Sequence, residues 1–141
     1  MKILLKTLLA SGACPLLASS SFAASFWGVT TNNELVSFSD QAPSVFTSST
    51  QISGLKTWDG ITDDPFAYVV NLARHAVTNK LYAIDTNANF YSLATNGVAT
   101  LISNAFSPLG YDAGFDYDPF FDSFRFLSDA GDNADIATDG S

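Results

Sequence analysis

Eight aspartates crowd residues 111–141: Asp112, Asp116, Asp118, Asp122, Asp129, Asp132, Asp135 and Asp139. Arg125 is the one basic residue among them, leaving a local net charge of −7. Such crowding repels itself in a folded domain unless cations relieve it. The run Asp129-Ala130-Gly131-Asp132-Asn133-Ala134-Asp135 sets hard oxygen ligands around a glycine, as calcium loops do. Asp129, Asp132, Asn133 and Asp135 are therefore the candidate metal ligands, and calcium is the ion they suit. The run is shorter in ligands than an EF-hand loop, because no bidentate Glu follows it. Solvated turn aspartates are the competing reading of the same residues.

The remaining chemistry-bearing residues point to structure more than to reaction. Arg125, read on a strand, shares a face with Ser123 and Leu127 and can pair in bidentate fashion with Asp122 or with an aspartate of a neighbouring strand. His75 is the only histidine and stands beside Arg74. A zinc site needs three or four spaced His, Cys or carboxylate ligands, and a nucleophilic triad needs an activated serine; neither grouping is visible. His75 is expected at the surface or at a sheet edge, and no catalytic residue is assigned. Trp27, Trp58, Tyr82 and Tyr91 could stack on sugars, against the alternative that aromatics of an all-β chain fill its core.

The elements that position these residues are strands. After residue 24 no window carries a sustained apolar pattern at helical spacing; short runs rich in Val, Ile, Phe, Tyr and Thr recur between Asn, Asp, Gly and Ser. Strands are predicted over Ser25–Thr30, Glu34–Ser39, Pro43–Thr47, Phe66–Asn71, Lys80–Asp85, Phe90–Ala94, Val98–Ile102, Gly114–Tyr117, Ser123–Ser128 and Ala134–Ala137. Asn96-Gly97 predicts a type I′ hairpin turn. The chain also matches itself. Forty-three residues on, Leu72 falls on Phe115, Asn79 on Asp122 and Leu81 on Phe124, while Phe26–Phe38 aligns with Leu81–Leu93. A period of roughly 40–50 residues with four strands per unit is the pattern of propeller blades. The predicted fold is all-β, with antiparallel four-stranded blades of a partial or truncated β-propeller-like domain. The alternative is a β-sandwich.

Lys2 and Lys6 precede an apolar stretch that ends in Ser21-Phe22-Ala23, a secretory leader with cleavage expected after Ala23. Residues 1–23 are thus read as a signal peptide and 24–141 as one β-propeller-like domain, incomplete at its C-terminus. The stretch is too short to span a bilayer and is broken by Pro15, so no membrane span is expected. The serine three residues before Cys14 departs from a lipid-anchoring motif. Without the leader, 118 residues carry 4 basic and 14 acidic side chains and no cysteine. No cluster of Lys and Arg exists for phosphates, which excludes nucleic acid as a partner class. The expected location is the periplasm, cell surface or medium.

The stretch Gly114-Phe115-Asp116-Tyr117-Asp118-Pro119, continued by Asp122, Arg125, Ser128, Gly131 and Asn133, resembles the bacterial domain of unknown function 4394 family. Trp27–Val36 and Thr78–Asp85 resemble the family's opening and second-blade strands. Ser123 departs from the usual arginine, and Arg74-His75-Ala76 stands where Phe-Arg-Pro is common. The resemblance implies an exported, propeller-like fold of which this chain covers roughly the first half, and it implies no reaction. The expected function is a non-enzymatic binding or structural module whose open sheet edges favour self-association. The alternative is a calcium-dependent hydrolase or lactonase-like propeller enzyme.

Overall fold

The computed structural model describes residues 23–104 and 113–141. The expectations for the leader, for Cys14 and for Asp112 lie outside the described residues. Ten strands follow the apolar runs: β1 (Ser25–Val29), β2 (Glu34–Ser39), β3 (Ala42–Gln51), β4 (Val69–Arg74), β5 (Leu81–Asp85), β6 (Phe90–Leu93), β7 (Ala99–Ser103), β8 (Ala113–Asp118), β9 (Ser123–Ser128) and β10 (Asn133–Ala137). They form three antiparallel sheets, each winding in chain order: β1-β2-β3, β4-β5-β6-β7 and β8-β9-β10. The fold is all-β, with no helix among the described residues. Four strands, expected of each sheet, are present in the middle one; the outer two have three described strands each.

Most strand ends lie within one residue of the pattern reading, and β3 and β4 depart from it furthest, β4 at both ends. β3 runs to Gln51 as a Ser/Thr-rich edge strand, bulged against β2 on both sides of Phe38. β4 begins at Val69, not Phe66, because Asp64 turns the chain first. Its carboxylate accepts the Phe66 amide at 2.9 Å and its carbonyl the Ala67 amide at 3.3 Å, which removes both amides from strand pairing.

The hairpins share one local design. In Thr30–Glu34, Asp85–Asn89 and Ser128–Asp132 the first residue donates its amide to the carbonyl of the fifth, and its own carbonyl accepts the amide of the fourth. Its side chain also accepts the amide of the fifth, at 3.2, 2.9 and 3.1 Å. The fourth residue takes positive φ: Asn33 at 59°, Ala88 at 63° and Gly131 at 94°. A type I turn followed by one left-handed residue is the three-residue hairpin loop with a bulge. The Asn96-Gly97 hairpin is of this kind too, which corrects the type I′ expectation. Only Gly97 has positive φ (83°), and Asn96 uses its side chain to accept the Val98 amide at 3.2 Å. A Cβ on Gly97 would also collide with the Gln51 carbonyl, where the first sheet meets the second.

Strand alternation places the core on both faces of the middle sheet. Leu81, Ala83, Tyr91 and Leu93 point to one side and pack with Leu35, Ile52 and Leu55, with Trp27 and Val29 against them. Tyr82, Ile84 and Phe90 point to the other and pack with Tyr117, Phe124, Phe126 and Ile136. Every residue of β5 is therefore buried, and its sequence reads as an apolar run up to the terminal Asp85. A two-layered sandwich, the alternative considered from sequence, would bury the middle sheet on one face only.

Candidate functional site

Asp85 closes the β5–β6 hairpin and is 2% exposed. Its Oδ1 accepts the amides of Asn87 and Asn89, both at 2.9 Å, and its Oδ2 accepts the Tyr91 hydroxyl at 2.8 Å. Tyr91 Oη in turn accepts the Lys56 amide at 2.8 Å. Asn89 Nδ2 donates to the carbonyls of Lys56 and Thr57, at 3.0 and 3.1 Å, and Asn87 Nδ2 donates to the Lys56 carbonyl and to Asp64 Oδ2, at 2.9 and 2.8 Å. The knot thus ties the 52–68 connection to the tip of the middle sheet. Burial pushes the Asp85 carboxyl above its ordinary range, and burial beside that carboxylate pushes the Tyr91 phenol well up. The bond from Asn87 holds Asp64 below the usual carboxylate value.

His75 corrects the expectation of a surface position: it is 7% exposed, stacked on Tyr117 with ring centroids 4.2 Å apart. It follows β4, and its Nδ1 lies in reach of the Val77 and Thr78 amides at 3.2 and 3.4 Å, which makes Nδ1 the acceptor. The ring proton then sits on Nε2, 3.3 Å from Asp122 Oδ1. Tyr117 donates to the same carboxylate oxygen at 2.6 Å, and that bond pushes its phenol up to about 12. A base that activates a nucleophile needs one free ring nitrogen facing it. Both nitrogens of His75 are taken, by a turn and by Asp122, so the group fastens the β4–β5 turn to the β8–β9 turn. Asp122, at φ 54°, and Asn79, at φ 59°, are the left-handed residues of those two turns.

The four candidate metal ligands lie around the β9–β10 hairpin. Asp129 is in its turn, and Asp132 accepts the Ser128 hydroxyl at 3.2 Å while its amide donates back to Ser128 Oγ. Asn133 and Asp135 are brought together on β10 by Arg125, whose Nη1 donates to Asn133 Oδ1 at 2.9 Å and whose Nε lies 3.0 Å from Asp135 Oδ1. Register explains the choice of partner: Asp135 stands directly opposite Arg125, whereas Asp122 turns toward His75 and Tyr117. A cation bound by Asn133 and Asp135 would have to displace the guanidinium. Among the described residues, no group of three or more His, Cys, Asp or Glu is arranged to hold a metal ion.

The motif residues therefore have local duties: Tyr117 binds Asp122, Arg125 crosses to β10, and Gly131 makes the turn. A family model described as a domain of unknown function, DUF4394, matches residues 34–141. The chain belongs to the DUF4394 family. No curated protein matches it, and no solved structure does.

Of the aromatic residues singled out in this DUF4394 chain, Tyr82 and Tyr91 are buried and Trp27 packs on the first core. Trp58 is 77% exposed, and Ile61 (74%) and Phe66 (87%) share its connection. The loop that carries Trp58 is closed by its own bonds. Thr57 and Thr62 are joined across it, Asp59 accepts the Thr57 hydroxyl at 2.6 Å and the Ile61 amide at 3.0 Å, and Asn104 Nδ2 reaches the Asp59 carbonyl at 2.7 Å. Those bonds hold Asp59 below the usual carboxylate value. Beside the loop lies a half-open cleft of about 330 Å³ lined by Asn33, Gln51, Leu55, Asp63, Asp64 and Ala67. Asn33, Asp63 and Asp64 already bond Val69, Lys56 and Asn87 there. Among the described residues no helix is long and apolar enough to cross a membrane. The reach of the Asp85 knot to Lys56 and Thr57 and the His75–Asp122 pair escaped sequence reasoning, because those partners lie far away in the chain. The repeated hairpin around Asp85 was the available signal.

Proposed function

We propose that this DUF4394 chain is an exported, propeller-like module that acts by binding and not by catalysis, at the cell surface or in the periplasm. Lys2, Lys6, the apolar stretch and Ser21-Phe22-Ala23 support export. Three winding antiparallel sheets with the same hairpin design, at positions that the internal sequence matches pair, support a blade architecture.

The observation that carries the binding reading is Trp58: a large apolar ring held 77% exposed on a loop whose turn groups are hydrogen-bonded within the protein. A loop ordered before binding gives up little backbone freedom on it, and the face of the indole suits the C–H face of a sugar ring. The 14 acidic against 4 basic side chains that remain without the leader disfavour polyanions, so the ligand class is a neutral glycan. Native electrophoresis through gels containing neutral polysaccharides should retard the protein, and Trp58→Ala should restore its free migration without changing its circular dichroism. Equal migration of wild type and variant on every gel would sink the glycan reading.

A further inference from the structure

Asp63 belongs to two features at once. It closes the Trp58 loop, through its bridge to Lys56 and a bond from Lys56 Nζ at 2.6 Å, and it stands on the wall of the cleft beside that loop. Trp58 follows Lys56 by two residues, a reach of at most about 7 Å, so the backbone that carries the indole stands beside the cleft wall. The cleft holds about 330 Å³, within the range of about 300–1,000 Å³ usual for small-ligand sites.

The lining divides by chemistry. Ile52, Leu55 and Ala67 are buried members of the first core and give the cleft an apolar side. Gln51, Asp63 and Asp64 give it a polar one, and the protein's own donors hold all three in place. Asp64 Oδ1 accepts the Phe66 amide at 2.9 Å and its Oδ2 accepts Asn87 Nδ2 at 2.8 Å, while Asp63 takes Lys56 on Oδ1. A carboxylate offers about four acceptor positions, so each keeps lone pairs for a further donor. Gln51 Nε2 donates to the carbonyls of Asn32 and Asn33 at 3.3 and 3.0 Å, which leaves its Oε1 as another acceptor. Fixed acceptors beside an apolar wall match a molecule with hydroxyl donors at its edges and C–H groups on its faces. No third carboxylate joins the two aspartates among the described residues, which sets such a ligand above a metal ion.

We infer that the cleft is a second sugar subsite, so that the glycan stacked on Trp58 runs on into it and is bound as a chain of several units. The inference rests on the Trp58 reading and adds a chain-length requirement to it. A unit on the exposed indole gains contact through one face only. A neighbouring unit in the cleft donates hydroxyls to Asp63 and Asp64, and a charge-assisted bond of that kind is worth roughly tenfold or more in affinity.

Electrophoresis of the full chain through gels containing soluble starch, hydroxyethyl cellulose or galactomannan tests this, with the monosaccharide and the tetrasaccharide of the retarding polymer as competitors. The tetrasaccharide should release wild type at a concentration at least about tenfold below that of the monosaccharide. Ser53 lines the cleft outside the Trp58 loop. Ser53→Phe should therefore fill the cleft and erase that difference, while the polymer still retards the protein through the indole. Should Ser53→Phe fail to fold, Asp63→Asn, with the charged acceptor removed and its shape kept, gives the same reading. A wild type that no polymer retards would remove the Trp58 reading and this inference with it. Retardation that Trp58→Ala abolishes, with both competitors equal or with the preference untouched in Ser53→Phe, would overturn the subsite and leave the Trp58 reading standing.

Discussion

Asp85 shows how much one buried carboxylate can do without catalysis. Three donors converge on it, two backbone amides and the Tyr91 hydroxyl, yet burial outweighs them and raises its affinity for a proton. The folded chain therefore holds that proton more firmly than the unfolded chain does. Between the ordinary value of 3.8 and the raised native value, the native state carries more protons, so this group's contribution to stability falls as pH rises. Above the native value the full cost of the buried charge is present. Asp85→Asn removes the charge and keeps an oxygen for the two amides. Urea titrations across acidic to neutral pH should show wild type losing stability relative to the variant as pH rises through that window, with a constant difference beyond it. A difference that does not change with pH would mean that Asp85 titrates alike in both states. Ala88 is the complementary case of backbone cost. It holds φ 63° where the other three hairpins of this kind have Asn33, Gly97 and Gly131, residue types that tolerate the left-handed region.

At the scale of elements, the 52–68 connection is the part whose order depends most on side-chain bonds. It contains two isolated bridges, Ser53 with Val98 and Lys56 with Asp63, and it is anchored to the middle sheet through Tyr91 and Asn89. Tyr91→Phe deletes the hydroxyl while keeping the ring that fills the first core. The Lys56 amide and the Asp85 carboxylate each lose a partner, at a cost of about 1–3 kcal/mol. Hydrogen exchange should then accelerate at the Lys56 amide and change little at the Ala83 amide within the middle sheet. Equal acceleration at both positions would show that the connection opens only with global unfolding. The loop that presents Trp58 belongs to this connection, so the same variant should weaken glycan retention by loosening the loop.

For the whole molecule, the middle sheet is the keystone, because both cores use it. Phe124 is fully buried and touches Tyr82 and Phe90 of the middle sheet with ring centroids 4.6 and 5.7 Å away, as well as Phe115 and Tyr117 of its own. Phe124→Ala should cost ~3–5 kcal/mol, a large part of the stability of a domain this size. Fluorescence of Trp27, followed in a Trp58→Phe background, reports the first core, and far-UV circular dichroism reports all sheets. Coincident denaturant transitions for Phe124→Ala are expected, since loss of the second core exposes the sheet on which the first is built. Transitions that separate would mean that the first two sheets stand without the third.

The local part of this structure was legible in the residues themselves. Strand positions, the hairpins and the correspondence of Asn79 with Asp122 rest on alternation and on turn chemistry, which act over a few neighbours, so sequence order carries them. Even the error at Asn96-Gly97 was local, a choice between two turns that both accept glycine. Membership of the DUF4394 family was legible for the same reason, since Tyr117, Asp122, Arg125 and Gly131 act within one three-stranded meander. Only the tertiary structure decided the rest. It chose Asp135 over Asp122 as the partner of Arg125, buried His75 and fixed its proton on Nε2, and placed Lys56 over Tyr91, 35 residues away. It also decided that β5 would be covered on both faces while Phe26, Phe38 and Phe46, opposite one another on the first sheet, would lie in neither core. Burial is a property of which sheet lies against which, and alternation along one strand is the same whether its outward face meets a neighbour or water.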